Sequence, residues 1–147
     1  MRQIWKSFQG LYFASLMMLI GSGLLSTYLA LRLSADQVDG LWIGALMAAN
    51  YVGLVLGGKV GHRLIGRVGH IRAYATCAGV VGAAVLGLGL INWLPAWLFL
   101  RMIVGLGMMC QYMVVESWLN EQAAAKQRGK VFSGYMIASY LGLVLGQ

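Results

Sequence analysis

Five long stretches of this chain carry almost no charge, and that feature decides the solvent it can fold in. They run over residues 11–31, 41–60, 73–91, 97–115 and 131–147. A helix crossing about 30 Å of hydrocarbon at about 1.5 Å per residue needs about 20 mostly apolar residues. The first four stretches have about that length. The fifth is still running at Gln147 and carries no helix stop, which reads as a span cut short in a fragment of a longer protein. Lipid offers no partner for a free backbone amide, so these stretches are expected to be helices. The short alternating segments of a closed strand barrel do not occur. Composition closes the soluble alternative: 60% of residues are hydrophobic and 10% charged, against about 25% charged in a soluble domain. The expected fold is an all-α membrane protein, a bundle of transmembrane helices.

Charge then orients the chain. Arg2 and Lys6 precede the first stretch, Arg63, Arg67 and Arg72 follow the second, with Lys59 near its end, and Lys126, Arg128 and Lys130 follow the fourth. The opposite side has only Arg32. The positive-inside rule predicts a cytoplasmic N-terminus. The net charge of +7 therefore reads as a topology signal facing anionic lipid headgroups, with no nucleic-acid partner. The first stretch is too long for the core of a cleaved signal peptide and no small-residue cleavage site follows, so it is read as a retained span. Ser34, Asp36, Asp39 and Gly40 mark the first turn, and Asn92 to Pro95 the third.

Cys77 and Cys110 sit inside apolar runs and read as small packing residues rather than a disulfide or a metal site. His62 and His70 lack metal-ligand spacing. With no nucleophile and base set and no phosphate loop, neither an enzyme nor a cofactor is expected.

An internal repeat narrows the function. The run Met47 to Gly58 lies over Met136 to Gln147 at an offset of 89, with eight of twelve positions identical. A weaker match at an offset of 84 sets Gly21 on Gly105 and Gly23 on Gly107. Three spans followed by three of opposite direction form a 3+3 inverted repeat, a device of secondary transporters. Gly53 with Gly57, and Gly142 with Gly146, have the four-residue spacing that lets helices approach closely.

Three places in the chain then resemble the N-terminal half of the major facilitator superfamily. After the second span the family pattern is Gly-x-x-x-Asp-Arg-x-Gly-Arg-Arg/Lys. Here Gly58, Arg63 and the later Gly66-Arg67 pair match, while His62 stands where the aspartate is expected. In the family that aspartate helps latch the two halves; its absence implies that this latch is missing here or is moved to Glu116 or Glu121. Arg101-x-x-x-Gly105 resembles the family's fourth-span motif. Gly142-x-x-x-Gly146 resembles the start of its antiporter motif, with Gln147 in place of proline. The stretch from Glu116 to Glu121, followed by Arg128-Gly129-Lys130, is similar to uncharacterised bacterial transporters of that superfamily.

The resemblance covers the whole chain and implies about five of twelve spans. The fold implied is part of the N-terminal six-helix half of a major facilitator bundle. Its partners would be a small-molecule substrate, protons, membrane lipids and the missing C-terminal half. The location implied is the bacterial cytoplasmic (inner) membrane. The function implied is secondary active transport of a small solute by alternating access, coupled to an ion gradient. The alternative is a channel-like or structural module without coupled transport.

The candidate substrate-cavity residues are Arg101, Gln111, Asn50, Ser26 and Tyr140, polar groups within apolar spans. An arginine at such depth costs about 2.5–3.5 kcal/mol on insertion scales, so it needs a buried partner or a watery cavity. The competing reading of Arg101 is that it snorkels to the outer interface near Trp97. Serine and tyrosine in a span also have local roles, in helix backbone bonds and at interfaces. Glu116, at the end of the fourth span, is expected to pair with Arg63 or Arg67.

Overall fold

A computed structural model describes residues 2–147, with side chains from Phe8 onward. Among these the chain is all helix: α1 (Arg2–Ala35), α2 (Gly40–Val68), α3 (His70–Leu90), α4 (Leu94–Gln122) and α5 (Arg128–Gly146). Four are long and apolar enough to cross a membrane, namely α2, α3, α4 and α1 from Phe8. The fifth, α5, has 19 residues with Arg128 and Lys130 in its first turn, and falls outside that measure.

The helix boundaries differ from the expected spans in one informative place. The second span is expected to end at residue 60. Instead α2 continues to Val68, so His62, Arg63, Gly66 and Arg67 lie on its last turns. Nothing between Gly58 and Val68 breaks a helix, because neither proline nor a positive φ occurs there. The break falls on one residue, Gly69, at φ 80° and ψ 168°. A side chain rarely adopts that conformation, so glycine makes a one-residue joint between two helices. Gly69 N–H also donates to Ile65 O and so closes the end of α2. At the other end, the Asp39 carboxylate accepts from Leu41 N–H and caps the start of α2.

The described residues form two compact units. One holds Leu33–Val114, which is α2, α3 and most of α4. Here α2 runs parallel to α4: Gly53 faces Met102 and Leu106, Gly57 faces Leu106 and Met109, and Gly61 faces Met113. A Cβ on Gly53 would fall 2.0 Å from Met102 O, and one on Gly105 would fall 2.0 Å from Asn50 O. The two backbones touch, which only glycine permits. Antiparallel to α4 runs α3, with Val81 against Gly107 and Gly87 against Leu100.

The other unit holds α1 through Arg32 with Val115–Gln147. Here α5 runs parallel to α1. Gly134 meets Tyr12, Gly142 meets Leu16 and Leu19, and Gly146 meets Ile20. The buried Tyr12 hydroxyl donates to Val131 O at 3.0 Å, fixing the start of α5 on α1.

These two seams repeat each other. Gly53 and Gly57 touch Met102 O and Leu106 O. Gly142 and Gly146 touch Leu16 O and Ile20 O. The α2-to-α5 offset of 89 therefore holds, but the α1-to-α4 offset is 86, not the 84 expected from sequence. At 86, Gly105 corresponds to Leu19 and Gly107 to Gly21. The two-residue slip arose because glycine is abundant, with 21 residues, so glycines aligned with each other more easily than with their true counterparts.

Candidate functional site: the seam of α2 and α4

The close approach of α2 to α4 places polar groups where lipid and water are both excluded. Arg101 lies one turn before Gly105 on α4 and is only 2% exposed. Its Nη2 reaches the Met47 thioether of α2 at 3.8 Å. Arg101 is therefore turned into the seam. Asn50 is one turn along α2 from Met47, and its backbone carbonyl lies against Gly105. Its side-chain Oδ1 is buried and takes no hydrogen bond. The same crossing thus holds a cationic donor and an open acceptor within one helical turn of each other. Such groups are expensive to bury without a purpose.

Gln111, the third residue expected from sequence, is also buried on α4, at 4% exposure. It belongs to the same unit as Arg101 and Asn50. The remaining two belong to the other unit. Ser26 is half-buried on α1, and Tyr140 is 62% exposed on α5. Ser139 Oγ of α5 is buried and, like Asn50 Oδ1, takes no hydrogen bond. It is the counterpart of Asn50 at the offset of 89.

The expected conformational residues are distributed as follows. Gly105, Gly142 and Gly146 are buried at helix contacts, whereas Gly58 has only the tip of Met109 near it and Gly66 open space. His62, Arg63 and Arg67 are exposed on the end of α2. Glu116 is exposed on α4, and its Oε1 accepts from the Tyr135 hydroxyl of α5 at 3.3 Å. Arg128 Nη2 donates to Asn120 O at 3.4 Å, placing a cation against the C-terminal carbonyls of α4.

Sequence reasoning missed three of these contacts. Met47 gave no polar signal, because a thioether reads as packing. Tyr12 gave none, because tyrosine near a span end reads as an interface residue. Tyr135 is polar by type, but its bond to Glu116 depends on how the chain turns between α4 and α5, which no local sequence pattern shows.

The family model described as Major Facilitator Superfamily matches residues 11–147. The chain belongs to the major facilitator superfamily. Among its relatives is an uncharacterized MFS-type transporter of Enterobacter sp. (strain 638), 30% identical over 132 residues. That match covers 90% of this chain and 35% of the relative. The uncharacterized MFS-type transporter YcaD of Escherichia coli O45:K1 (strain S88 / ExPEC) is 28% identical over the same shares. The chain thus spans about a third of the length of these relatives. No solved structure matches. As a major facilitator chain it is a multi-pass membrane protein, and its relatives are transporters, not enzymes.

Proposed function

We propose that this chain forms part of a secondary active transporter. It would move a small solute across the bacterial inner membrane by alternating access, coupled to an ion gradient such as that of protons. The single observation that carries the reading is the charged Arg101 held inside the α2–α4 seam, beside the open acceptor Asn50 Oδ1. A guanidinium there is suited to an anionic or strongly accepting group of a solute. Asn50 Oδ1 is suited to a donor on the same solute, and Gln111 further along α4 to another polar group. Few fixed polar groups in an apolar surround are what orient a small molecule.

Gly58, His62, Arg63, Gly66, Arg67 and Arg128 are assigned to the conformational cycle, with Gly105, Gly142 and Gly146 as the helix contacts about which it turns. Glu116 is assigned as the carboxylate that latches to Arg63 or Arg67, in place of the aspartate replaced by His62. The N-terminus is assigned to the cytoplasm, and the rest of a two-half transporter is the assigned partner.

The test is a thermal-shift screen of small polar solutes against the purified protein in detergent, followed by flux in proteoliposomes. A true ligand raises the melting temperature of the parent protein, with little or no shift in Arg101→Met or Asn50→Leu. Its uptake saturates and follows the imposed ion gradient. Flux that neither saturates nor responds to the gradient identifies a channel-like module and ends the proposal.

A further inference from the structure

The same unit holds a pair of buried thiols that the proposed solute site does not use. Cys77, two turns into α3, and Cys110, on α4, are both free thiols. They are 5% and 1% exposed. The two thiols lie close enough to interact with each other, and Cys110 Sγ donates to Gly57 O of α2 at 3.6 Å. Backbone geometry independently brings the helices together there. One turn from Cys110, a Cβ on Gly107 would lie 3.4 Å from Cys77 O and 2.5 Å from the Val81 side chain. Among the described residues no third histidine, cysteine, aspartate or glutamate joins them.

We propose that Cys77 and Cys110 form a dithiol site for a thiophilic divalent metal ion of the mercuric type, which would staple α3 to α4. Three arguments fix that chemistry. Thiolates select soft metals. With two ligands and no third, the site suits an ion that accepts linear two-coordination, and not tetrahedral zinc. A dication bound by two thiolates is neutral, whereas a monovalent ion would leave a net negative charge buried without a partner.

The reaction balances without an oxidant. Mercuric chloride, itself neutral and able to enter lipid, exchanges both chlorides for sulfurs. Two Hg–Cl bonds break, two Hg–S bonds form, and the two thiol protons leave as hydrochloric acid.

The experiment loads the purified protein in detergent with mercuric chloride, desalts it against excess glutathione and measures retained mercury. Two linked thiols should outcompete a free monothiol by about 100-fold or more. One mercury per chain is expected, lost in Cys77→Ala and equally in Cys110→Ala. Two mercury atoms per chain, or retention unchanged in either variant, overturns the site. X-ray absorption on the parent protein needs no variant. A shell of two sulfurs supports the proposal, and one sulfur with chloride or oxygen overturns it.

Discussion

At the residue scale, the seams rest on glycines whose missing side chains are filled by a neighbouring backbone. Gly53 and Gly105 are the extreme cases, each with a carbonyl oxygen 2.0 Å from where a Cβ would sit. Backbone atoms cannot swing aside as a side chain can. Gly53→Ala and Gly105→Ala should therefore each destabilise by at least the about 1–3 kcal/mol usual for overpacking. Gly79 and Gly82 have open space at the same atom. There alanine should be neutral, or stabilising by up to about 1 kcal/mol through helix propensity. Thermal unfolding of the four variants in one detergent compares them. Equal effects in all four would show that the helices do not touch as described.

The candidate site was half legible at this scale. Arg101 stood out as a charge inside an apolar run, and Asn50 as a polar residue in the repeat. Their convergence was not legible, because it depends on the α2–α4 register and on a methionine sulfur as the contact.

At the scale of the element, α2 shows how a helix outlasts its span. Its 29 residues would measure about 43 Å at 1.5 Å per residue, against about 30 Å of hydrocarbon. The excess is the basic end that carries His62, Arg63 and Arg67. The apolar boundaries were readable because hydrocarbon thickness sets them. The end of the helix was not, because charge alone does not unwind a backbone that can leave the lipid. What ends α2 is Gly69, at φ 80°. Gly69→Ala would force a side chain into a left-handed backbone at about 1–2 kcal/mol. It should lower the melting temperature even though nothing lies within 4 Å of the added atom. Gly66, three residues earlier, also has open space but lies within the helix, so Gly66→Ala should not lower it. A loss in both, or in neither, would mean that the joint lies elsewhere.

At the scale of the whole molecule, the question is which helix ends share a side of the membrane. Within one unit α2 is parallel to α4 and antiparallel to α3; within the other α1 is parallel to α5. Helices that alternate in this way leave Asp39 and Trp93, before α2 and α4, on one side. Arg67, at the end of α2, and Lys126, before α5, fall on the other. The basic residues cluster with the second set, so that side should be cytoplasmic. Single cysteines replacing Asp39, Trp93, Arg67 and Lys126, in a Cys77→Ala, Cys110→Ala background, make this measurable. An impermeant maleimide added to intact spheroplasts should label Asp39→Cys and Trp93→Cys directly. It should label Arg67→Cys and Lys126→Cys only after the membrane is opened. Labelling of Asp39→Cys and Arg67→Cys from the same side would mean that α2 does not cross. The glycine seam between α2 and α4 would then lose the lipid environment that makes its buried arginine costly, and with it the reason to seek a solute there.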